Sequence, residues 1–398
     1  MSPASDARNR LRIVHAIEGL HPDRGGPPVV AISVAAAQAR LGHDVTIVSE
    51  ETGCAPGGTD ELIRSTRDAD RVKIELVPKT KLFAALYGQF HKVAKSLSHS
   101  PDLLHAHGVW NPIALASTRA ARVLRVPYLV SSHGAMHPEM LKLGAKKKRA
   151  ALALGWRRML REARRVLVLN EEERAEVNTL AKREVAAIVP NGFDIPALQI
   201  PTPGLFRNTF APLAGRPYFV FLGRLDRVKG LDDLLESYLV ARSVGSVADL
   251  VIIGPDWGEQ ASLQAAARTS NVAGNVHFTG PLYDHTKLTA LRDAIATVHR
   301  PRYEGFGMAV LEAMAVGTPA IIGERCLLPV DGEREGVILA RGGAREFAAN
   351  MVELERDPAR REILGDAARQ CVARRFDWTA IGRQTLAEAG FLSGGSAS

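Results

Sequence analysis

The sequence predicts an α/β protein made of two doubly wound, Rossmann-like halves facing across a cleft. Short apolar runs alternate with helix-like stretches, the alternation stops at a loop rich in Pro, Asn and Gly, and it then begins again.

The first apolar run, 11–17 (LRIVHAI), suits a buried strand. The loop HPDRGGPP follows, then a helix-like stretch over 29–41 and a strand-like run at 44–49. The pattern returns with a strand at 103–106, a helix over 113–123, and strands at 127–131 and 166–169. The loop at 189–196 (VPNGFDIP), with Pro201, Pro203 and Gly204 beyond it, closes this half and predicts a hinge near 195–215. The second half offers strands at 218–222, 249–253, 276–279, 296–299 and 319–322, with helices near 231–241 and 287–293 and from Met308. Sheets of this kind bind ligands at the carboxyl ends of their strands.

The bulk numbers narrow the class. The chain has 398 residues, 46% of them hydrophobic and 24% charged, enough for full hydrophobic cores. No apolar run reaches the roughly 18 residues of a membrane span, and the polar opening MSPASDARNR predicts a cytoplasmic chain. Cys54, Cys326 and Cys371 fit neither a zinc spacing nor a disulfide framework. The net charge of +8 predicts an anionic partner: a phosphate ligand, a lipid surface or nucleic acid.

The segment EGFGMAVLE, from Glu304 to Glu312, carries the most chemistry. Gly305 and Gly307 let the backbone turn sharply against a ligand, with Phe306 between them. A helix beginning near Met308 would offer free N–H groups and its dipole to a diphosphate. Glu304 precedes that helix and Glu312 lies inside it, so the two carboxylates address different parts of a ligand. In FLGRLDRVKG, Arg224 and Lys229 stand on a strand-to-helix turn where a guanidinium and an ammonium can reach one diphosphate. Gly25 and Gly26 follow the first strand, with Pro27 suited to a first helical turn. His133, in SSHGAMHP, falls at a strand end, with His137 behind it. His105 and His107 lie at another strand end and are expected to line the cleft without a catalytic role.

These segments resemble the retaining GT-B glycosyltransferases of glycosyltransferase family 4. The carriers are E-x7-E with its FG turn, the GR-x4-KG element at Arg224 and Lys229, the glycine-rich loop at Gly25 and Gly26, and the His at the strand end. Weaker matches are Asn191-Gly192 with Asp194, the IGPDWG loop at 253–258 and FDW at 376–378. The resemblance runs over about 11–390 and is most specific in the second half. The chain departs from it at GERCLLPV, where the family has small residues and a GG turn.

The resemblance implies an acceptor-side domain over 1–195, a donor-nucleotide domain over 196–375, and a last segment, 376–398, whose helix crosses back before a Gly/Ser-rich tail. It implies a hexosyltransferase that moves a sugar from a nucleotide-diphosphate donor to a hydroxyl acceptor, with retention of configuration and no metal or other cofactor. Cell-surface polysaccharide or lipid-linked glycan synthesis is the expected setting. Glu304 would hold the sugar, His133 would face it, Glu312 would hold the ribose, and Arg224 and Lys229 would stabilise the leaving diphosphate. No residue stands out as a covalent nucleophile, which leaves a same-face internal return open.

Other readings separate on simple features. A sugar-nucleotide epimerase of the same shape would need no acceptor, and a non-catalytic sugar-nucleotide binder would have no reason to keep both glutamates and both cations. A nicotinamide enzyme lacks its G-x-G-x-x-G. Asp68-Ala69-Asp70 is a D-x-D, as in metal-dependent glycosyltransferases of another fold, but its charged surroundings predict a surface turn. Taken as one helix, 142–165 puts every cation but Lys148 on one half and Leu152, Trp156, Met159, Leu160 and Ala163 opposite. That predicts either a solvated helix face or a peripheral contact with anionic lipid on the inner face of a membrane. No recognition motif supports nucleic acid.

Overall fold

Parallel strands need crossovers long enough to hold a helix, and the chain supplies them throughout. The computed structural model describes residues 10–21, 26–51, 57–78, 95, 101–195, 198 and 200–392. Gly25, Cys54 and the tail from 393 lie outside the described residues.

The first unit comprises Met1–Gly192 and Trp378–Ser398. Its strands are β1 (Arg12–Ile17), β2 (Asp44–Glu51), β3 (Lys73–Pro78), β4 (Leu103–His107), β5 (Tyr128–Ser131), β6 (Arg165–Val168) and β7 (Ala186–Ile188). They form a sheet ordered β3-β2-β1-β4-β5-β6-β7, parallel throughout the described pairs. β4 and β5 are buried along their whole length, as strands covered on both faces must be. The helix Gly26–Arg40 has two prolines at its start and a run of small residues behind them. Those small residues let the C-terminal helix Trp378–Glu388 pack closely: a Cβ added at Gly382 would lie 3.2 Å from the Cβ of Ala37.

The second unit, Phe193–Asp377, holds β8 (Tyr218–Leu222), β9 (Asp249–Ile253), β10 (Val276–Gly280), β11 (Thr297–His299), β12 (Ala320–Gly323) and β13 (Val337–Ala340). Their order is β10-β9-β8-β11-β12-β13, again parallel. Phe219, Phe221, Leu250, Ile252, Val298 and Ile321 carry one face of this sheet into a core closed by Phe347 and Met351.

Each sheet winds outward in two directions from its centre. The reversal falls between β1 and β4 in the first sheet and between β8 and β11 in the second. Loops that leave neighbouring strands there diverge and open a crevice.

The expected single helix over 142–165 is corrected by the structure. The stretch divides into Pro138–Lys142, Ala145–Ala151, a wide turn Leu152–Trp156 and Arg157–Glu162, and Arg165 opens β6. Gly144 and Gly155 take left-handed backbone, φ 69° and 126°, and break the register that the one-helix reading assumed.

Candidate active site

In the second unit the crevice between β8 and β11 collects the charged residues. After β8, Asp226 caps the turn Arg227–Lys229 by accepting from the amides of Val228 (3.0 Å) and Lys229 (3.3 Å). After β11 the chain runs through Glu304 to Gly307, which caps the helix Met308–Ala315. Gly307 sits at φ +89°, and a Cβ there would lie 3.2 Å from Cys326 Sγ, so both backbone and space call for glycine. The amides of the first helical turn have no acceptor within the helix.

Glu304 is clamped at both ends. Its N–H donates to Arg325 O at 2.9 Å, and its carbonyl accepts from Leu327 N at 2.9 Å. Its carboxylate pairs with the Lys229 ammonium, and His299 Nε2 stands 3.8 Å from the same oxygen, a distance for electrostatics rather than hydrogen bonding. Burial pushes the Glu304 carboxyl up, but His299 and Lys229 together outweigh it and hold the group at about 2. The neighbouring Cys326 thiol is pushed up to about 12, by burial first and by the Glu304 charge second, so it is inert.

Arg224 stands apart from this pair. It is exposed, lies over the Trp257 ring at 4.4 Å and reaches Asp226 at 3.4 Å. Glu312 is held by Lys287 Nζ at 2.6 Å. Phe306 is buried edge-on to Phe376 and serves the core, whereas Met308 is exposed at the helix start.

The first unit has its own cavity, of about 290 Å³, at the β1/β4 crevice. Glu18, Pro27, His107, Trp110, Asn111 and His133 contribute to its lining. His133 takes left-handed backbone at φ +51°, a strained position for a residue with a side chain. Its Nε2 lies 3.1 Å from His107 Nδ1, His107 Nε2 lies 2.9 Å from His15 Nδ1, and His15 Nε2 lies 2.8 Å from Gln38 Oε1. His15 and His105 face each other in register, and His105 Nε2 meets Ser131 Oγ at 2.8 Å. Burial lowers His15 and His133 to about 4 and takes His105 and His107 well down. His15, His105 and His107 place ligand atoms within 4.8 Å of one another. Both nitrogens of His15 and of His107 are already bonded, so a metal would have to displace those bonds.

Both halves of the chain match known families in the same order. Residues 25–192 match the glycosyl transferase 4-like domain, and residues 206–371 match glycosyl transferases group 1. The chain belongs to the family-4-like glycosyltransferases. It is 27% identical over 380 residues to a glycogen synthase of Mycobacterium tuberculosis, covering 88% of this chain and 87% of that one. It is also 27% identical over 390 residues to a D-inositol 3-phosphate glycosyltransferase of Corynebacterium diphtheriae, covering 90% and 88%. The fold is GT-B. HepE of Anabaena, solved in complex with UDP, superposes with a TM-score of 0.74 at 19% identity, covering 96% of this chain and 100% of that one.

For this nucleotide-sugar-dependent glycosyltransferase, the structure brings Glu304 and Lys229 together and keeps Arg224 and Glu312 with other partners. Gly26 opens its helix, and a Cβ there would meet nothing within 4 Å among the described residues, so no steric demand for glycine shows. His107 lines the cavity, whereas His105 is not among the lining residues. That corrects the expectation that both do, and the reason is the bond that holds His105 to Ser131. His137 is structural: it caps Pro138–Lys142 and bonds Glu172 at 2.8 Å. Asp68 is enclosed by Arg40, Arg67 and Arg71, and its bond to Arg40 holds its carboxyl low, so the D-x-D is a salt-bridged turn. Sequence reasoning missed His15, Gln38, His299 and Lys287. A His inside each of the apolar runs LRIVHAI and ATVHR was the one available signal.

Proposed function

We propose that the protein transfers a hexosyl group from a nucleotide diphosphate sugar to a glycan or lipid-linked hydroxyl, with retention of configuration and without a metal. The observation that carries this is the part-buried Lys229–Glu304 pair at the β8/β11 crevice, beside the open helix start at Met308. In the free protein the ammonium and the carboxylate neutralise each other. With donor bound, Lys229 turns to the diphosphate and Arg224 joins it, while the amides near Met308 complete the anion grip. Glu304 then binds sugar hydroxyls, and Glu312 exchanges Lys287 for the ribose. In the first unit, His133 takes a sugar hydroxyl in its own cavity. The leaving diphosphate gains negative charge as the anomeric carbon becomes cationic, so preorganised cations lower the barrier.

The test is a thermal-shift screen of nucleotide sugars, followed by acceptor trials with the sugar that stabilises the protein. Glu304→Ala should abolish transfer and leave nucleotide binding largely intact, while Glu312→Ala should weaken nucleotide binding. If both variants transfer as the parent does, the assignment fails. Conversion of the donor without any acceptor would indicate an epimerase instead, and binding without turnover a sensor. Loss of transfer in EDTA, restored by a divalent cation, would overturn the metal-free reading.

A peripheral contact with an anionic membrane surface fits a second feature. Leu143 and Leu154 are 66% and 76% exposed beside exposed Lys142, Lys146, Lys147 and Arg149. Among the described residues, no helix is long and apolar enough to cross a membrane.

A further inference from the structure

His133 ends a chain of four side chains that runs from Gln38, on the helix Gly26–Arg40, to the cavity of the first unit. A neutral imidazole has one N–H and one bare nitrogen, so each ring in such a chain can only pass a hydrogen bond on in one direction. Burial keeps these rings uncharged near neutral pH. The direction is set at the far end. Gln38 is fully buried, and its Oε1, which can only accept, meets His15 Nε2 at 2.8 Å. With the amide placed so, and its Nε2 without a partner among the described residues, His15 carries its proton on Nε2 and leaves Nδ1 bare. The opposite amide orientation would reverse every donor in the chain and protonate His133 at Nδ1, the outcome tested below. His107 then donates from Nε2 to His15 at 2.9 Å, and His133 donates from Nε2 to His107 at 3.1 Å. What remains is His133 Nδ1, bare, on a residue that lines the cavity.

We propose that Gln38, acting through His15 and His107, locks the tautomer of His133 so that it presents a hydrogen-bond acceptor to a sugar hydroxyl in the cavity. Gln38, His15 and His107 are positioning residues in this scheme, and only His133 touches the sugar. The amide neither takes nor releases a proton, so the chain conducts none and works as a lock rather than a relay. It also accounts for the left-handed backbone at His133, since that strain is offset by aiming Nε2 at His107. Discrimination follows from the polarity: an unmatched buried acceptor is costly, so a sugar lacking the hydroxyl, or carrying an acceptor there, is disfavoured. The sugar as occupant rests on the proposed function, whereas the polarity does not.

The experiment is nitrogen NMR of the full chain labelled in its histidine rings, without ligand. The expected spectrum has His15, His107 and His133 protonated at Nε2, and a His133 protonated at Nδ1 would overturn the lock. Gln38→Leu removes the terminal acceptor and should leave His133 a mixture of tautomers, with kcat down about tenfold. Gln38→Glu restores an acceptor and should restore the parent tautomer. Unchanged tautomers in a folded Gln38→Leu would overturn the proposal. So would a changed tautomer with unchanged transfer kinetics, which removes its meaning for the sugar. The parent spectrum decides the polarity even where Gln38→Leu does not fold. That arm uses no sugar, so its failure is distinct from failure of the transferase reading.

Discussion

Glu304 shows how one carboxylate is kept charged in a part-buried place. Dehydration alone would favour its neutral form, and the nearby Lys229 and His299 reverse that outcome. The folded pKa, about 2, lies below the ordinary value of 4.5. The stabilisation it brings is therefore complete above the ordinary carboxylate range and is lost as pH falls through 2. A difference of this size is worth on the order of 3 kcal/mol at neutral pH. We expect Glu304→Gln to lower unfolding stability by about that amount at pH 7 and by less than half as much at pH 3. Urea titrations of both proteins at the two pH values would check it, and an equal gap at both would show that the pair does not set the charge. The motif residues were readable because Arg224, Lys229, Glu304 and Glu312 lie in contiguous segments with their own turns. Their partners were not. His299 stands inside an apolar strand, and Lys287 comes from a helix with no motif of its own. The polar chain from Gln38 to His133 is assembled from four separate segments.

At the scale of elements, the loops after β8 and β9 hold each other. Leu225 bridges to Asp256, and Trp257 N donates to Leu225 O at 3.1 Å. Gly254 makes this possible, because a Cβ there would lie 1.9 Å from Gly223 O. Gly254→Ala must force the loops apart and displace Arg224 from Trp257. We expect it to cost about 1–3 kcal/mol and to lower kcat/KM more than tenfold, while Gly274→Ala, where a Cβ meets nothing within 4 Å, should change neither. Thermal unfolding with donor-saturation kinetics would show it. The IGPDWG segment was legible as a loop, but its grip on the β8 loop is a contact across the sheet that no local pattern encodes. The same limit explains the elements missed. β7 and β13 are three and four residues long, and the six-residue β3, KIELVP, lies at a sheet edge and interleaves charged residues with its apolar ones. The basic stretch is a different case: its periodicity suggested one helix, while Gly144 and Gly155 were legible as places where it could be interrupted, and it breaks at both.

For the whole molecule, the two windings were legible because buried parallel strands read as apolar runs, and the restart of that pattern after 195–215 marks a second sheet. The charge distribution was legible only as a sum. In the first unit the cations gather in two places. One is the exposed set around Lys146 and Lys147. The other is a groove of about 960 Å³ at the amino ends of β5 and β6, lined by Arg122, Arg125, Arg158, Arg164, Arg165 and Arg183. Several of these are committed within the fold: Arg122 and Arg158 hold Glu162 at 3.1 and 2.8 Å and Arg165 holds Glu388 at 3.2 Å, and Arg157, next to Arg158 in the chain, donates to Leu180 O at 3.1 Å. Replacing Arg157 or Arg158 would therefore confound binding with stability. Lys146 and Lys147, beside exposed Leu143 and Leu154, are the better probes of a lipid contact, because insertion of the leucines and attraction of the cations act together there. We expect cosedimentation with vesicles rich in anionic lipid, weakening as salt rises. Lys146→Gln with Lys147→Gln should reduce it severalfold, and Leu154→Asp should reduce it further without changing the salt dependence. Binding that is unaffected by these changes but lost in Arg125→Gln with Arg164→Gln would move the contact to the arginine groove. Binding unaffected by either set would mean that the excess charge serves the phosphates of the donor and not a membrane.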